Sequence, residues 1–187
     1  GEVLVKNAVL LHGTGGSNTD YFWFADTKEY LEKLGFSVSW PLLPNTEKPN
    51  LTDSLKYVQK HLTLDRESII IAHSSGCPLA LSWLQRTSQP IRQTLLVAGF
   101  YQNLHDDGYS ELMLEQYDWS KIQASSTEIL LLNSDNDPWG CTYEQAKMPA
   151  KLLAAPLIIM PGQGHMGSIS FNQPYKKFNL LNRLIVH

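Results

Sequence analysis

Three residues on separate segments carry the side chains that acyl transfer requires: Ser74, Asp137 and His165. A serine hydroxyl becomes an effective nucleophile when a neighbouring base removes its proton. Histidine suits that role because its imidazole accepts and then donates a proton near neutral pH. A carboxylate completes the set, since it holds the imidazole in the correct tautomer and stabilises its charged form. The residue types therefore indicate covalent catalysis by Ser74, with His165 as the base and Asp137 as its partner.

Ser74 lies in the segment Ala72 to Gly76, which follows a short apolar run and precedes Pro78 and a helical pattern. A sharp turn from strand to helix strains the backbone at such a serine and exposes its hydroxyl above the sheet. The residues two before and two after must be small so that the strand and the helix can approach; Ala72 stands where glycine is usual. The alternative is that Ser74 and Ser75 only cap the helix.

A glycine-rich segment, His12 to Gly16, follows the first apolar run. Acyl transfer needs hydrogen-bond donors where the oxyanion develops, and backbone N–H groups usually supply them. We expect these donors to be Thr14 and Ser75, with Gly13 allowing the substrate to approach the backbone closely. A phosphate-binding loop is the alternative, but the sequence has neither a G-x-G-x-x-G pattern nor a Walker lysine.

Two aspartates compete to be the partner of the histidine. Asp137 is favoured because Pro138 constrains the turn just beyond its carboxylate. Asp135 is expected to serve ordinary turn chemistry, in which a side chain bonds its own backbone. Both follow an apolar run, and His165 follows another, within a Gly-Gln-Gly-His segment. The order Ser, Asp, His along the chain is the order expected of an α/β hydrolase.

Other polar and aromatic residues near these segments admit two interpretations. His12 and His73 could form a metal site with Asp135 and His165, but their spacing matches no metal signature, so we expect packing and hydrogen-bonding roles and no metal. Aromatic side chains could wall an apolar substrate pocket, or they could pack the first helix against the sheet. The candidate pocket residues are Phe22, Trp23 and Trp139, together with Gly13.

Six short apolar runs alternate with longer helical patterns along the chain. Runs without internal alternation suit strands that are buried on both faces of a parallel sheet. The alternation predicts an α/β fold with a six-stranded, doubly wound and mostly parallel sheet, flanked by helices in a single domain over residues 1–187. The predicted strands are Val3 to Leu11, Phe36 to Trp40, Ser68 to Ala72, Gln93 to Ala98, Glu128 to Leu132 and Pro156 to Met160.

The helical patterns add three specific expectations. Leu51, Leu55 and Val58 recur at helical spacing, with Asn50 as the N-cap. The last helix carries Tyr175, Phe178, Leu181 and Leu184, with Pro174 in its first turn. The segment Gly99 to Ser126, which includes Asp106, Asp107 and Tyr109, is expected to form one short helix that partly covers the site. A segment of that length leaves no room for a large lid.

Composition excludes several classes of function. The formal net charge is −3 and no Lys/Arg-rich run occurs, so we expect no binding to nucleic acid. The apolar runs are too short to span a bilayer. Two cysteines do not make a disulfide framework, and the N-terminus shows no signal-peptide pattern. We therefore expect a cytoplasmic protein that needs no cofactor; the oligomeric state cannot be derived from these features.

With these segments in place, the chain resembles the small serine hydrolases of the retinoblastoma-binding protein 9 and YdeN group over nearly its whole length. The resemblance rests on His12–Gly16, on Ile69–Gly76, on Ser134–Pro138 and on Gly164-His165. It implies a compact α/β-hydrolase fold without a large lid, and a triad of Ser74, Asp137 and His165. Ala72 departs from the usual glycine, and His12 makes the glycine-rich loop more like that of generic lipases and esterases.

The resulting prediction is a serine hydrolase that cleaves small ester-type acyl substrates through an acyl-enzyme. Two alternatives remain open. A thioesterase or an amidase/peptidase would use the same triad, because the pocket rather than the triad decides the leaving group. A non-catalytic module would keep the fold for protein contacts alone.

Overall fold

In the computed structural model, which describes residues 4–104 and 107–187, a six-stranded sheet forms the centre of the molecule. Its strand order is β2-β1-β3-β4-β5-β6, and every pairing between these strands is parallel. The strands are β1 (Asn7–Leu11), β2 (Ser37–Ser39), β3 (Ser68–His73), β4 (Gln93–Val97), β5 (Ile129–Ser134) and β6 (Leu157–Met160). This sheet confirms the predicted fold class.

Helices cover both faces of the sheet. The helices α1 (Phe24–Lys33) and α6 (Asn179–Leu184) pack on one face. The other face carries α2 (Leu51–His61), α3 (Gly76–Leu84), α4 (Trp119–Ala124) and α5 (Tyr143–Leu153). Alternate residues of each strand enter the two cores, so Ala8 and Leu10 meet the first pair of helices while Val9 and Leu11 meet the second group.

The strand order reverses direction between β1 and β3. The chain moves outward from β1 to β2, then returns to place β3 on the opposite side of β1. In doubly wound sheets, ligands bind at the carboxyl ends of the strands beside such a switch point. The glycine-rich loop that follows β1 and the turn that follows β3 therefore border the place where a ligand is expected.

Several predicted boundaries differ from the structure. The first strand begins at Asn7 rather than at Val3, and Val3 lies outside the described residues. The last helix begins at Asn179, so its predicted start at Pro174 is wrong. Tyr175 adopts a φ of 40°, which an α-helix cannot accommodate. The start of α2 is confirmed, since the Asn50 side chain accepts a hydrogen bond from the Asp53 N–H at 2.9 Å.

The connection from β4 to β5 contains two short helices instead of the one predicted. A 3-10 helix spans Asp107–Leu112 and places Tyr109 beside the loop ends near Ser74, as expected of a helix that partly covers the site, whereas α4 packs against α3 and α5. Asp106, which falls in this connection, lies outside the described residues. Across residues 4–104 and 107–187, no helix is both long enough and apolar enough to cross a membrane.

Candidate active site

Ser74 occupies the sharp turn between β3 and α3. Its φ is 56°, a left-handed conformation that is uncommon for a residue with a side chain, and its N–H bonds the Val97 carbonyl at 2.9 Å. Gly76 starts the helix so close to β1 that an added Cβ would press into the backbone oxygen of Leu11. The glycine therefore lets helix and strand approach, and the strained turn holds Ser74 above the sheet.

A continuous line of hydrogen bonds joins Ser74, His165 and Asp137. The Ser74 Oγ lies 3.0 Å from the His165 Nε2, and the His165 Nδ1 lies 2.6 Å from the Asp137 Oδ2. The second carboxylate oxygen of Asp137 accepts the Trp139 N–H at 2.8 Å. Asp137 and His165 are both buried. The imidazole can therefore accept the serine proton at Nε2 while the carboxylate holds the proton on Nδ1.

The loop that carries His165 is tied to the end of β5. The Asp135 Oδ1 accepts the Gly162 N–H at 2.8 Å, and the Asn136 Oδ1 accepts the Gly164 N–H at 2.8 Å. The Ser134 hydroxyl donates to the Gly164 carbonyl. Asp135, the competing aspartate, thus binds the backbone of the histidine loop and does not face the imidazole. The sequence alone offers no signal for Ser134 and Asn136 in this role.

The glycine-rich loop lies against the turn at Ser74, and the Thr14 and Ser75 hydroxyls are 3.0 Å apart. Neither the Thr14 nor the Ser75 backbone N–H has an acceptor among the described residues. The Gly13 carbonyl, which shares a peptide unit with the Thr14 N–H, accepts the His12 Nδ1–H at 2.7 Å. Because that unit is planar, this hydrogen bond fixes the direction of the Thr14 N–H. Two free donors are therefore available beside the serine.

A cavity of about 600 Å³ opens beside Ser74 and His165. Phe22 and Trp139, two of the candidate pocket residues, line it, and its wall also includes four further aromatic or aliphatic side chains: Phe100, Leu104, Tyr109 and Ile169. Its volume falls within the range typical of small-molecule sites. Lys176 is the one cationic side chain among the described lining residues, and Asp20 pairs with it at 3.2 Å.

Two of the predicted pocket residues do not line this cavity. Trp23 is fully buried in the core, where its indole N–H donates to the Met166 carbonyl at 3.0 Å, so its assignment to the pocket is wrong. Gly13 lies behind Ser74, where an added Cβ would stand 2.9 Å from the Ser74 Cβ. The glycine gives room to the nucleophile and not to the substrate.

The chain also matches a known protein family. The family described as Serine hydrolase matches residues 8–183. The chain belongs to this family. Its curated relatives include the serine hydrolase RBBP9 of Rattus norvegicus, which is 26% identical over 170 residues and covers 89% of this chain and 90% of the relative. The putative hydrolase YdeN of Bacillus subtilis is 28% identical over 138 residues and covers 72% of each.

Solved structures agree with this assignment of fold. The crystal structure of the ydeN gene product from B. subtilis superimposes on this serine hydrolase with a TM-score of 0.86, covering 96% of each chain at 24% identity. A carboxylesterase structure from Nitrososphaera gargenis gives a TM-score of 0.73 at 13% identity, covering 96% of this chain and 88% of that one. At these identities the likeness establishes the fold of the serine hydrolase.

Two buried histidines flank the site of this serine hydrolase. The His12 Nε2 accepts the Leu43 N–H at 2.9 Å, and burial lowers the pKa of His12. Burial lowers the pKa of His73 well below its ordinary value, and the nearby His165 lowers it further. Both rings are therefore neutral near neutral pH.

Two triad side chains and the neighbouring Cys141 have the atoms of a metal site but do not suit a metal. Asp137, Cys141 and His165 offer potential ligand atoms within 4.8 Å of one another. The His165 Nδ1 is already bonded to Asp137. Burial, followed by the charge of Asp137, raises the pKa of the Cys141 thiol well above its ordinary value, which disfavours the thiolate that metals bind. The arrangement suits proton transfer better than metal coordination.

Proposed function

We propose that this serine hydrolase is a carboxylesterase-like enzyme that cleaves small, uncharged acyl esters through an acyl-enzyme on Ser74. The observation that carries the proposal is the hydrogen-bonded line from Ser74 through His165 to Asp137, at the edge of a cavity whose wall includes several apolar and aromatic side chains. In the first half-reaction the Ser74 Oγ attacks the carbonyl carbon while the His165 Nε2 takes the hydroxyl proton. The Thr14 and Ser75 N–H groups bind the oxyanion.

Collapse of this intermediate breaks the bond between the carbonyl carbon and the leaving oxygen, and His165 donates its proton to the departing alcohol. Water then enters, His165 removes one of its protons, and the resulting attack releases the carboxylic acid and restores Ser74. Throughout, Asp137 accepts the hydrogen bond from the His165 Nδ1, on which the proton stays. Its charge stabilises the imidazolium in both half-reactions. All of these steps use side chains and backbone N–H groups of this chain together with water, so the proposal requires no cofactor.

The preference for uncharged esters rests on the cavity. Apolar and aromatic side chains favour an apolar acyl group. Lys176 is neutralised by Asp20, and Glu47 adds a further negative charge among the described lining residues. A polyphosphate leaving group such as coenzyme A would find no free cation there. The cavity therefore supports esters over coenzyme A thioesters.

A substrate panel tests the proposal. We expect purified protein to hydrolyse p-nitrophenyl esters from acetyl to decanoyl with a higher kcat/KM than the matching acyl-coenzyme A thioesters or p-nitroanilides. Ser74→Ala should lower kcat by about 10⁴-fold or more. If wild type hydrolyses no member of the panel, or Ser74→Ala is equally fast, the hydrolase proposal is wrong. If the thioesters or anilides are the better substrates, only the ester preference is wrong.

The cavity wall can be tested separately. Trp139→Ala should enlarge the cavity and move the optimum chain length towards longer esters, because the indole is part of the wall. The matched control is Trp119→Ala in α4, whose indole packs against Tyr117 and is not among the lining residues. An identical chain-length profile in wild type and Trp139→Ala would show that the acyl group does not bind in this cavity.

A further inference from the structure

Behind the nucleophile, two side chains connect the glycine-rich loop to the loop of His165. The Gly13 N–H donates to the Tyr21 Oη at 2.8 Å, and the Tyr21 Oη lies 2.6 Å from the His73 Nδ1. The His73 Nε2 lies 2.8 Å from the His165 carbonyl oxygen. We call Tyr21 and His73 the bridge. It links segments that are distant in the sequence and that carry the oxyanion donor and the base.

The partners of the bridge permit one arrangement of protons. A carbonyl oxygen only accepts, so the His73 Nε2 must carry a proton and donate it to His165. In a neutral ring the Nδ1 is then an acceptor, and the Tyr21 hydroxyl donates to it. The Tyr21 oxygen is left to accept the Gly13 N–H. All three hydrogen bonds therefore run in the same direction, and each donor and acceptor is used once.

Burial keeps this arrangement in place. Tyr21 and His73 are both buried, and the rings of Phe22 and Trp23 contact the His73 ring from its edges. Burial lowers the pKa of His73, so its ring does not compete with His165 for a proton. The two imidazole rings have centroids 4.9 Å apart. A charged His73 at that distance would oppose the imidazolium that His165 forms during catalysis.

We propose that Tyr21 and His73 are positioning residues that hold the glycine-rich loop, with its oxyanion donor, at a fixed position relative to the catalytic base His165. This inference rests on the proposed hydrolase function. The bridge acts through Gly13, whose neighbour Thr14 supplies an oxyanion donor, and through the backbone of His165. Both side chains also border the cavity, but their polar atoms are engaged within the bridge and are not free to bind a substrate. We therefore expect the bridge to affect the transition state. Small displacements of the base and of the oxyanion donors lower the reaction rate far more than they weaken substrate binding.

The first test removes one oxygen atom. Tyr21→Phe should lower kcat on the best p-nitrophenyl ester about 10- to 100-fold while KM changes less than about threefold. His73→Leu should give a similar loss, and the double variant should lose little more than either single variant, because both interrupt one connection. His73→Gln should recover most of the activity, since its amide N–H can donate to the His165 carbonyl while its amide oxygen accepts from the Tyr21 hydroxyl.

Tyr117→Phe is the matched control, because its hydroxyl accepts the Leu114 N–H at 3.2 Å among side chains on the α3 face of the sheet. It should leave kcat unchanged. If wild type is active and Tyr21→Phe keeps kcat within twofold, the bridge proposal is wrong and the hydrolase proposal stands. If His73→Gln is no better than His73→Leu, donation to the His165 carbonyl has no positioning role, and the proposal again fails. An inactive wild type refutes the hydrolase proposal itself.

A measurement on the unmutated protein keeps the test independent of variant folding. Nitrogen-15 NMR of the histidine rings should show His73 as the neutral tautomer protonated at Nε2, unchanged between about pH 5.5 and 8. A His73 ring protonated at Nδ1, or one that becomes charged within that interval, would contradict the proton arrangement on which the bridge depends.

Discussion

Replacement of Asp137 by asparagine is a sharp perturbation of the triad because the structure dictates how the new amide must lie. One carboxylate oxygen of Asp137 accepts the Trp139 N–H and the other accepts the His165 Nδ1–H. An asparagine has one oxygen, and the backbone N–H of Trp139 can only donate. The amide nitrogen must then face the imidazole, which forces the proton from Nδ1 to Nε2, the atom that should accept the serine proton.

The expected loss follows from this reversal. A histidine in the wrong tautomer leaves substrate binding and the oxyanion donors intact but removes general-base catalysis, which corresponds to about a 10⁴-fold fall in kcat. At about 1.36 kcal/mol for each tenfold change, the barrier rises by about 5.4 kcal/mol. Initial rates of p-nitrophenyl ester hydrolysis measure this directly, with circular dichroism to show that the variant is folded. KM should change little.

Asp135→Asn is the matched control for this variant. The Asp135 Oδ1 accepts the Gly162 N–H, and an asparagine oxygen can do the same. We expect kcat within about threefold of wild type. Asp137 does not act as the partner of His165 if Asp137→Asn keeps more than about a tenth of the wild-type kcat, or if Asp135→Asn loses as much activity as Asp137→Asn.

Three further predictions concern stability. Burial lowers the pKa values of His12 and His73, so below about pH 6.5 the unfolded chain binds more protons than the folded chain; the free energy of unfolding should fall by about 1.4 kcal/mol per pH unit for each histidine until its folded pKa is reached. Urea titrations between pH 8 and 5 measure this, and a constant midpoint would contradict it. Gly76→Ala should cost about 1–3 kcal/mol or more, because the new methyl group meets the Leu11 carbonyl; a change below about 0.5 kcal/mol would contradict the close approach. Asn50→Ala should cost about 1 kcal/mol by removing the N-cap of α2, whereas an unchanged melting temperature would show that the cap contributes nothing.

The parallel sheet could be predicted from the sequence because its central strands, β3, β4 and β5, are buried on both faces. The run Ser68–His73 is buried at every position, and such strands read as unbroken apolar segments. The convergence of Ser74, Asp137 and His165 followed from the same pattern. Ser74 directly follows β3, Asp137 and His165 lie in the loops that follow β5 and β6, and parallel strands end at one edge of the sheet. Unbroken apolar runs in the sequence therefore predict the strands of the sheet and also the edge at which the site residues meet.

Features that depend on single backbone angles could not be predicted. Phe22 and Trp23 are neighbours in one aromatic run, yet Phe22 lines the cavity and Trp23 is fully buried. The φ of 49° at Phe22 makes the two side chains point in different directions. The residue type at that position does not predict such an angle. Tyr175, with a φ of 40°, similarly interrupts a helical pattern that continues through Leu181. In both places tertiary packing overrides the local pattern.

The hydrogen bonds of Tyr21 and His73 could not be predicted from the sequence either. Tyr21 appears in the sequence as one of four consecutive aromatic residues, and His73 as an incidental neighbour of Ser74. Their connection exists because β1 and β3 are adjacent in the sheet, which brings the loop after β1 against the turn after β3. Such contacts follow from the register of the strands, which the sequence pattern leaves open.

Covalent labelling of the active serine shows whether Ser74 is the nucleophile. A fluorophosphonate probe, followed by peptide mass spectrometry, should give one adduct on Ser74 in wild type and in Ser75→Ala, and none in Ser74→Ala. Competition with a good ester substrate should slow the labelling. An unlabelled wild type, an adduct on Ser75, or equal labelling of Ser74→Ala would show that Ser74 is not the nucleophile.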